Sequence, residues 1–139
     1  MTLEPWVCEK PTRQGTHRNP SVSVLVVDDD EQFQDLARGL LEPAGFDVTE
    51  AASITACLAH LRSHAADAIV LDIVLPGRDG IAALKELKEL FPRIKIVTVS
   101  GAEASELYLA VSADLGADAS LCKSGVSSLG ALLRVVLER

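Results

Sequence analysis

The sequence predicts an α/β fold in which one five-stranded parallel sheet carries helices on both faces. Two observations predict it. From Val22 onward, short apolar runs alternate five times with stretches whose apolar residues recur at helical spacing. The connections between these segments are short, as expected of strand–helix–strand units with right-handed crossovers. The chain has 139 residues, of which 48% are apolar, enough for one domain with a real core. Only 4% are aromatic, so that core is expected to be aliphatic.

Val22 to Val27 is apolar and mostly β-branched, and reads as a buried strand that stops at Asp28-Asp29-Asp30. Phe33, Leu36, Ala37, Leu40 and Leu41 then mark the buried face of a helix, with Asp30 as its N-cap and Pro43 and Gly45 as its stop. Phe46 to Ala51 alternates as a second strand. Ser53 caps a second helix built on Ile54, Cys57, Leu58 and Leu61. Ala68 to Leu71 is a third strand ending at Asp72, and Pro76 to Gly80 is a loop by composition. Ile81 to Phe91 is a helix buried through Leu84, Leu87 and Phe91, and Pro92 ends it. Ile94 to Val99 is the fourth strand, ending at Ser100-Gly101. Ala104 to Leu115 is the fourth helix, closed by Gly116, with Leu107, Val111 and Leu115 expected inside. Ala119 to Cys122 is the fifth strand, ending at Lys123, and Ser127 to Leu137 is the last helix, with Leu129, Leu133 and Val136 inside. Of the two doubly wound strand orders, five strands favour the flavodoxin-like 2-1-3-4-5.

Residues 1–20 carry Pro5, Pro11, Gly15 and Pro20 without periodicity, which predicts a flexible N-terminal extension before a domain over 21–139. A net charge of −7 argues against nucleic-acid binding, which needs a basic patch. Cys8, Cys57 and Cys122 have no metal-ligand spacing and suggest reduced, mostly buried thiols in a cytoplasmic protein. No apolar run approaches a membrane span, and no signal-peptide pattern opens the chain.

In an open parallel sheet the site lies beyond the carboxyl ends of the strands. Asp28 and Asp29 follow the first strand, Asp72 the third, Ser100 the fourth and Lys123 the fifth. One acid after a strand is usually a cap or turn former, as Asp30 is expected to be. Three carboxylates, a hydroxyl and an ammonium at one edge are more than a set of caps. Clustered like charges cost stability unless neutralised. A hard divalent cation is the natural remedy, and Mg²⁺ suits a few carboxylates with water and phosphate oxygens.

With these residues in place, the sequence resembles the receiver domain of two-component response regulators, the CheY-like family, over roughly Ser21 to Arg139. The matches are Val26-Val27-Asp28-Asp29, Leu71-Asp72 followed by Leu75-Pro76-Gly77-Arg78-Asp79-Gly80, Ser100-Gly101, and Lys123. The resemblance implies that Asp72 is the phosphoacceptor. It implies Mg²⁺ held by Asp29, Asp72 and the carbonyl of Val74, with Asp28 acting through a water. Lys123 would pair with Asp72 at rest and with the phosphoryl oxygens afterwards. Ser100, beside Gly101, would bind the phosphoryl group and carry the switch. The donor would be a histidine kinase or a phosphotransfer protein bearing phosphohistidine. His17, His60 and His64 read as a tail residue and two surface residues, not as donors.

The sequence departs from the family's usual pattern at four positions. Ser124 follows Lys123 where the family usually has proline in a cis peptide, so a trans Lys123–Ser124 bond is expected. Ser120 stands where the family usually has a Tyr or Phe switch, which removes the ring from the usual coupling. Val74 and Ala102 occupy positions that tune acyl-phosphate hydrolysis in the family, and neither can orient a water, so slow self-dephosphorylation is expected. The fourth helix, fifth strand and last helix form the expected partner or homodimer face, through Tyr108, Leu109, Leu132 and Val135.

The implied function is a single-domain, phosphorylation-dependent switch of protein contacts, not an enzyme. An aspartyl phosphatase usually needs a second aspartate two residues after the nucleophile, where Val74 stands. A flavin-binding flavodoxin needs a phosphate loop where Asp28-Asp29-Asp30 would repel phosphate. The remaining alternative is an interaction module on a receiver scaffold that works without phosphorylation.

Overall fold

The computed structural model of the chain describes residues 21–75, 78–101 and 105–139, with the side chains of residues 75, 78–79 and 105–109 excepted. The extension expected over residues 1–20 lies outside the described residues.

The element order is β1 (Val22–Val27), α1 (Glu31–Leu41), β2 (Phe46–Ala51), α2 (Ile54–Ser63), β3 (Ala68–Asp72), β4 (Val74–Leu75), β5 (Arg78–Asp79), α3 (Gly80–Leu90), β6 (Lys95–Ser100), α4 (Ser105–Asp114), β7 (Ala119–Cys122), a 3-10 segment (Lys123–Ser128) and α5 (Leu129–Leu137). The main sheet runs β2-β1-β3-β6-β7 with every neighbouring pair parallel. This is the predicted 2-1-3-4-5 order.

Alternation along the central strands builds two cores. Val24, Val26, Val70, Val97 and Val99 face one side with Phe33, Ala37 and Leu41 of α1 and Leu129, Leu133 and Val136 of α5. Leu25, Val27, Ile69, Leu71 and Ile96 face the other side with residues of α2 and α3. β1 and β3 are sandwiched between helices, which is why they read as nearly continuous apolar runs. The order of the strands also sets the site: β1 and β3 are neighbours, so their carboxyl ends deliver Asp28 and Asp72 side by side.

The predicted caps form. Asp30 accepts from the backbone N–H of Gln32 at 2.9 Å, and Ser53 from that of Ala56 at 3.0 Å. Gly45 turns the chain after α1 at φ 101°, in the left-handed region that favours glycine.

Several expectations are corrected. Leu36 and Leu40, read as buried, are 49% and 36% exposed. The Phe33-Ala37-Leu41 row meets the sheet, and Leu36 and Leu40 lie one step round the helix from it. Leu115 is also 36% exposed, because it lies beyond the last residue of α4, where the chain already turns toward Gly116. The Leu107 side chain lies outside the described residues. Val74–Leu75 and Arg78–Asp79, inside and before the expected loop, pair as a short antiparallel ribbon. The last helix starts later than its pattern suggested. Ser124, Gly125, Ser127 and Ser128 favour a 3-10 turn, with Gly125 at φ −99° and ψ 22°, and the α-helix begins at Leu129.

Candidate functional site

Asp28, Asp72 and Lys123 converge at the carboxyl edge of the sheet. Lys123 Nζ lies 2.8 Å from Asp28 Oδ2 and 3.1 Å from Asp72 Oδ2. The two outer oxygens are held by backbone: Asp28 Oδ1 accepts from the N–H of Asp30, and Asp72 Oδ1 from the N–H of Val74, both at 2.9 Å. Each carboxylate is therefore fixed in rotation, with one oxygen on a tight turn and one on the ammonium. Both are buried, while Asp29 beside them is exposed.

Lys123 is carried from β7 to this point by the start of the 3-10 segment, and its ammonium lies 4.8 Å from the centre of the Phe33 ring. Among the described residues no peptide bond is cis, so Lys123–Ser124 is trans. The absence of proline has not kept the lysine from the pocket.

Burial opposes the charge on Asp28 and holds its carboxyl above the usual 3.8. The Lys123 ammonium and the Asp30 N–H pull it back down, and the Asp72 charge pushes it up again, so the net direction is upward. For Lys123, burial alone would lower the pKa, but the contact with Asp28 and the charges of both aspartates raise it overall.

The acidic set fits a hard cation. One carboxylate oxygen from each of Asp28, Asp29 and Asp72 lies within 4.8 Å of the others, and the donors are all oxygen. Asp28 Oδ2 is fully buried and, although 2.8 Å from Lys123, lacks hydrogen-bond geometry to any donor. Its charge is matched but its lone pairs are not, which leaves a ready ligand atom. Lys123 pairs with two of these three carboxylates, so the cluster has room for further positive charge.

Ser100 is fully buried at the end of β6, and its Oγ donates to the carbonyl of Gly101 at 3.1 Å. The Ser100 hydroxyl is thus satisfied locally. On the expected partner face, Val135 is 52% exposed, whereas Leu132 packs partly against the core. The side chains of Tyr108 and Leu109 lie outside the described residues.

Three features escaped the sequence reading. Gln34 is buried on α1, and its Nε2 donates to the carbonyl of Asp28 at 2.6 Å, pinning the acidic turn to the helix. The available signal was a polar residue next to Phe33 on the buried stripe. Gly80 opens α3 directly against the backbone of Ile73, where an added Cβ would lie 2.1 Å from the Ile73 carbonyl oxygen. Thr98, Ser112 and Ser120 bring their hydroxyls together behind Ser100. The thiols are free in Cys57 and Cys122, and burial pushes that of Cys57 up to about 11.

A parallel five-stranded sheet with an aspartate pair and a lysine at its carboxyl edge defines a receiver-type domain. Comparison with known proteins gives the same class. The family model of the response regulator receiver domain matches residues 24–133, and the chain belongs to that family. It is 35% identical over 118 residues to the KDP operon transcriptional regulatory protein KdpE of Escherichia coli, covering 84% of this chain and 52% of that protein. It is likewise 35% identical over 118 residues to the sensory transduction protein RegX3 of Mycobacterium tuberculosis, covering 84% of this chain and 51% of that one. The chain therefore spans about half the length of these relatives. Among solved structures, the CheY-like receiver domain protein of Methanospirillum hungatei superposes with TM-score 0.78 at 29% identity, covering 86% of this chain and 95% of that one. The receiver domain of NtrX from Brucella abortus gives TM-score 0.78 at 30% identity, covering 83% of this chain and 98% of that one. Among the described residues no helix is long and apolar enough to cross a membrane.

Proposed function

We propose that this receiver domain is a phosphorylation-dependent switch in which Asp72 accepts a phosphoryl group from a phosphohistidine donor in a Mg²⁺-dependent reaction. The observation that carries the reading is the bridging of Asp28 and Asp72 by Lys123. Asp28, Asp29, Asp72 and the carbonyl of Val74 are the residues assigned to Mg²⁺, which when bound supplies positive charge for the transferring group.

The chain's own residues do the rest. The N–H of Val74 fixes the rotation of Asp72, so one oxygen is presented to the donor phosphorus. That oxygen bonds to phosphorus as the phosphorus–nitrogen bond to the donor imidazole breaks, and the imidazole keeps the electron pair. Lys123 already lies beside Asp72 and follows the new negative charge without travelling far. Ser100, released from the Gly101 carbonyl, supplies a short donor to a phosphoryl oxygen. Such charge-assisted hydrogen bonds are worth about 1.5–3 kcal/mol each, enough to bias a bistable loop.

A histidine kinase or phosphotransfer protein is the proposed donor, in the cytoplasm, and altered protein contacts at the α4–β7–α5 face are the proposed output. A module indifferent to phosphorylation would gain nothing from crowding three carboxylates together at one sheet edge, because that crowding costs stability. The test is intact mass after incubation with acetyl phosphate, with and without Mg²⁺, for the wild type and Asp72→Asn. A metal-dependent gain of one phosphoryl group, absent from the variant, is expected. The same gain in Asp72→Asn would move the acceptor elsewhere.

A further inference from the structure

Behind Ser100, on the same side of the sheet, lies a buried polar cluster. Thr98 Oγ1 is 2.8 Å from Ser112 Oγ and 2.9 Å from Ser120 Oγ, and the two serines are 3.2 Å apart. Thr98 is on β6, Ser120 sits opposite it on β7, and Ser112 comes from α4. Thr98 and Ser112 are fully buried. A hydroxyl has one proton and two lone pairs, so each of the three can donate along one side of the triangle and accept along the other. Hydrogen bonds grouped in that way reinforce one another where water is largely excluded.

The cluster matters because of how the described residues of α4 meet the sheet. The other helices reach the sheet through aliphatic or aromatic side chains. Among the described residues, α4 contributes nothing to either apolar cluster. Of its described side chains, 110–114, only Ser112 is buried. In the described half of α4 the one fully buried side chain is thus a hydroxyl bound to the sheet. Hydrogen bonds are steeply distance-dependent and directional, whereas apolar contact tolerates sliding. A helix held in this way changes state when one bond is broken.

We infer that Thr98, Ser112 and Ser120 are positioning residues that couple Ser100 to α4, doing by hydrogen bonds what a rotating ring at position 120 could have done by packing. The inference rests on the proposed phosphorylation of Asp72. Thr98 is two residues before Ser100, and both side chains leave the same face of β6. When Ser100 leaves the Gly101 carbonyl and turns to a phosphoryl oxygen, the end of β6 moves with it. That displacement opens the Thr98–Ser112 contact and releases α4. At rest the closed triangle holds α4 down.

The test uses hydrogen exchange of the α4 amides, read by mass spectrometry on the whole chain, together with intact mass. Three proteins are compared: wild type, Thr98→Val and Thr98→Ser. Valine keeps the shape and loses the hydroxyl, while serine keeps the hydroxyl and loses a methyl. Without phosphodonor, Thr98→Val is expected to speed exchange in α4 by about tenfold, the effect of losing two ordinary hydrogen bonds. Acetyl phosphate is expected to speed it similarly in wild type and Thr98→Ser, and to add little in Thr98→Val, although all three acquire the phosphoryl group. If packing alone mattered, Thr98→Ser would be the disturbed protein and Thr98→Val the normal one, which overturns the inference. Unchanged α4 exchange in fully phosphorylated wild type overturns it as well. Absence of the phosphoryl adduct in every protein sinks the proposed function instead, and the comparison without phosphodonor still decides whether the Thr98 hydroxyl anchors α4.

Discussion

At Asp28, burial and charge pull in opposite directions. The carboxylate is fully buried beside Asp72, with Lys123 as a shared counter-ion. Its folded pKa is raised above the ordinary 3.8, with burial as the first cause. A raised carboxyl pKa contributes stability below the unfolded value, and that contribution disappears as pH climbs through the folded one. At neutral pH without metal, ionised Asp28 therefore costs stability. Asp28→Asn keeps an acceptor for the Asp30 N–H and leaves Lys123 paired with Asp72. Urea unfolding in EDTA is expected to find Asp28→Asn more stable than wild type at pH 7 by roughly 1–2 kcal/mol. The difference is expected to shrink as pH falls toward 4, because the folded wild type takes up a proton on Asp28 before the unfolded chain, with its ordinary 3.8, does. A variant less stable than wild type at pH 7 would mean that the Lys123 contact outweighs burial. Lys123 has the same direction of dependence in a much higher window: its raised pKa keeps its contribution up to the ordinary value of 10.5 and loses it only at higher pH.

Two glycines separate what an element needs from what it tolerates. Gly39 lies inside α1, and a Cβ added there would have nothing within 4 Å, whereas a Cβ added at Gly80 would lie 2.1 Å from the backbone oxygen of Ile73. Gly39→Ala is expected to stabilise by about 0.5–1 kcal/mol, the usual gain of alanine in a helix. Gly80→Ala must push the start of α3 off Ile73, the residue next to Asp72, and is expected to cost about 1–3 kcal/mol. Thermal melts of the two variants check the opposite signs, and slower uptake from acetyl phosphate by Gly80→Ala checks the link to the site. Equal and small shifts would mean that the α3 start has slack. The sequence made the elements legible where period and polarity agree, as at β1, β3 and α2. It also made Asp28, Asp72 and Lys123 legible, because strand ends in a parallel sheet must meet at one edge. Contacts set by the third dimension were not legible. Gly80 reads as a turn residue until Ile73 is beside it. Gln34 has no evident role until its amide reaches the Asp28 carbonyl. Leu36 and Leu40 fit a helical stripe whose width only the neighbouring elements decide.

For the molecule as a whole, the acidic edge is expected to make stability depend on cation supply. A ligand that binds the folded state alone stabilises it by an amount that grows with the logarithm of its concentration, about 1.4 kcal/mol per decade well above the dissociation constant. The unfolded chain separates Asp28, Asp29 and Asp72 and loses the site, so Mg²⁺ is expected to favour the fold. Raising Mg²⁺ tenfold in that range, at matched ionic strength, is expected to lift the Tm by about 3–5 °C for a domain of this size. Removal of divalent ions with EDTA is expected to reverse the shift. Matched ionic strength matters because sodium alone would screen the three carboxylates and give a smaller rise. Asp28→Asn is expected to flatten the Mg²⁺ dependence while starting from a higher Tm in EDTA, so the curves of variant and wild type should converge or cross as Mg²⁺ rises. Parallel curves would mean that the cation acts away from Asp28. A flat wild-type curve would mean that Lys123 already satisfies the pocket and that the folded protein does not bind Mg²⁺ over the range tested.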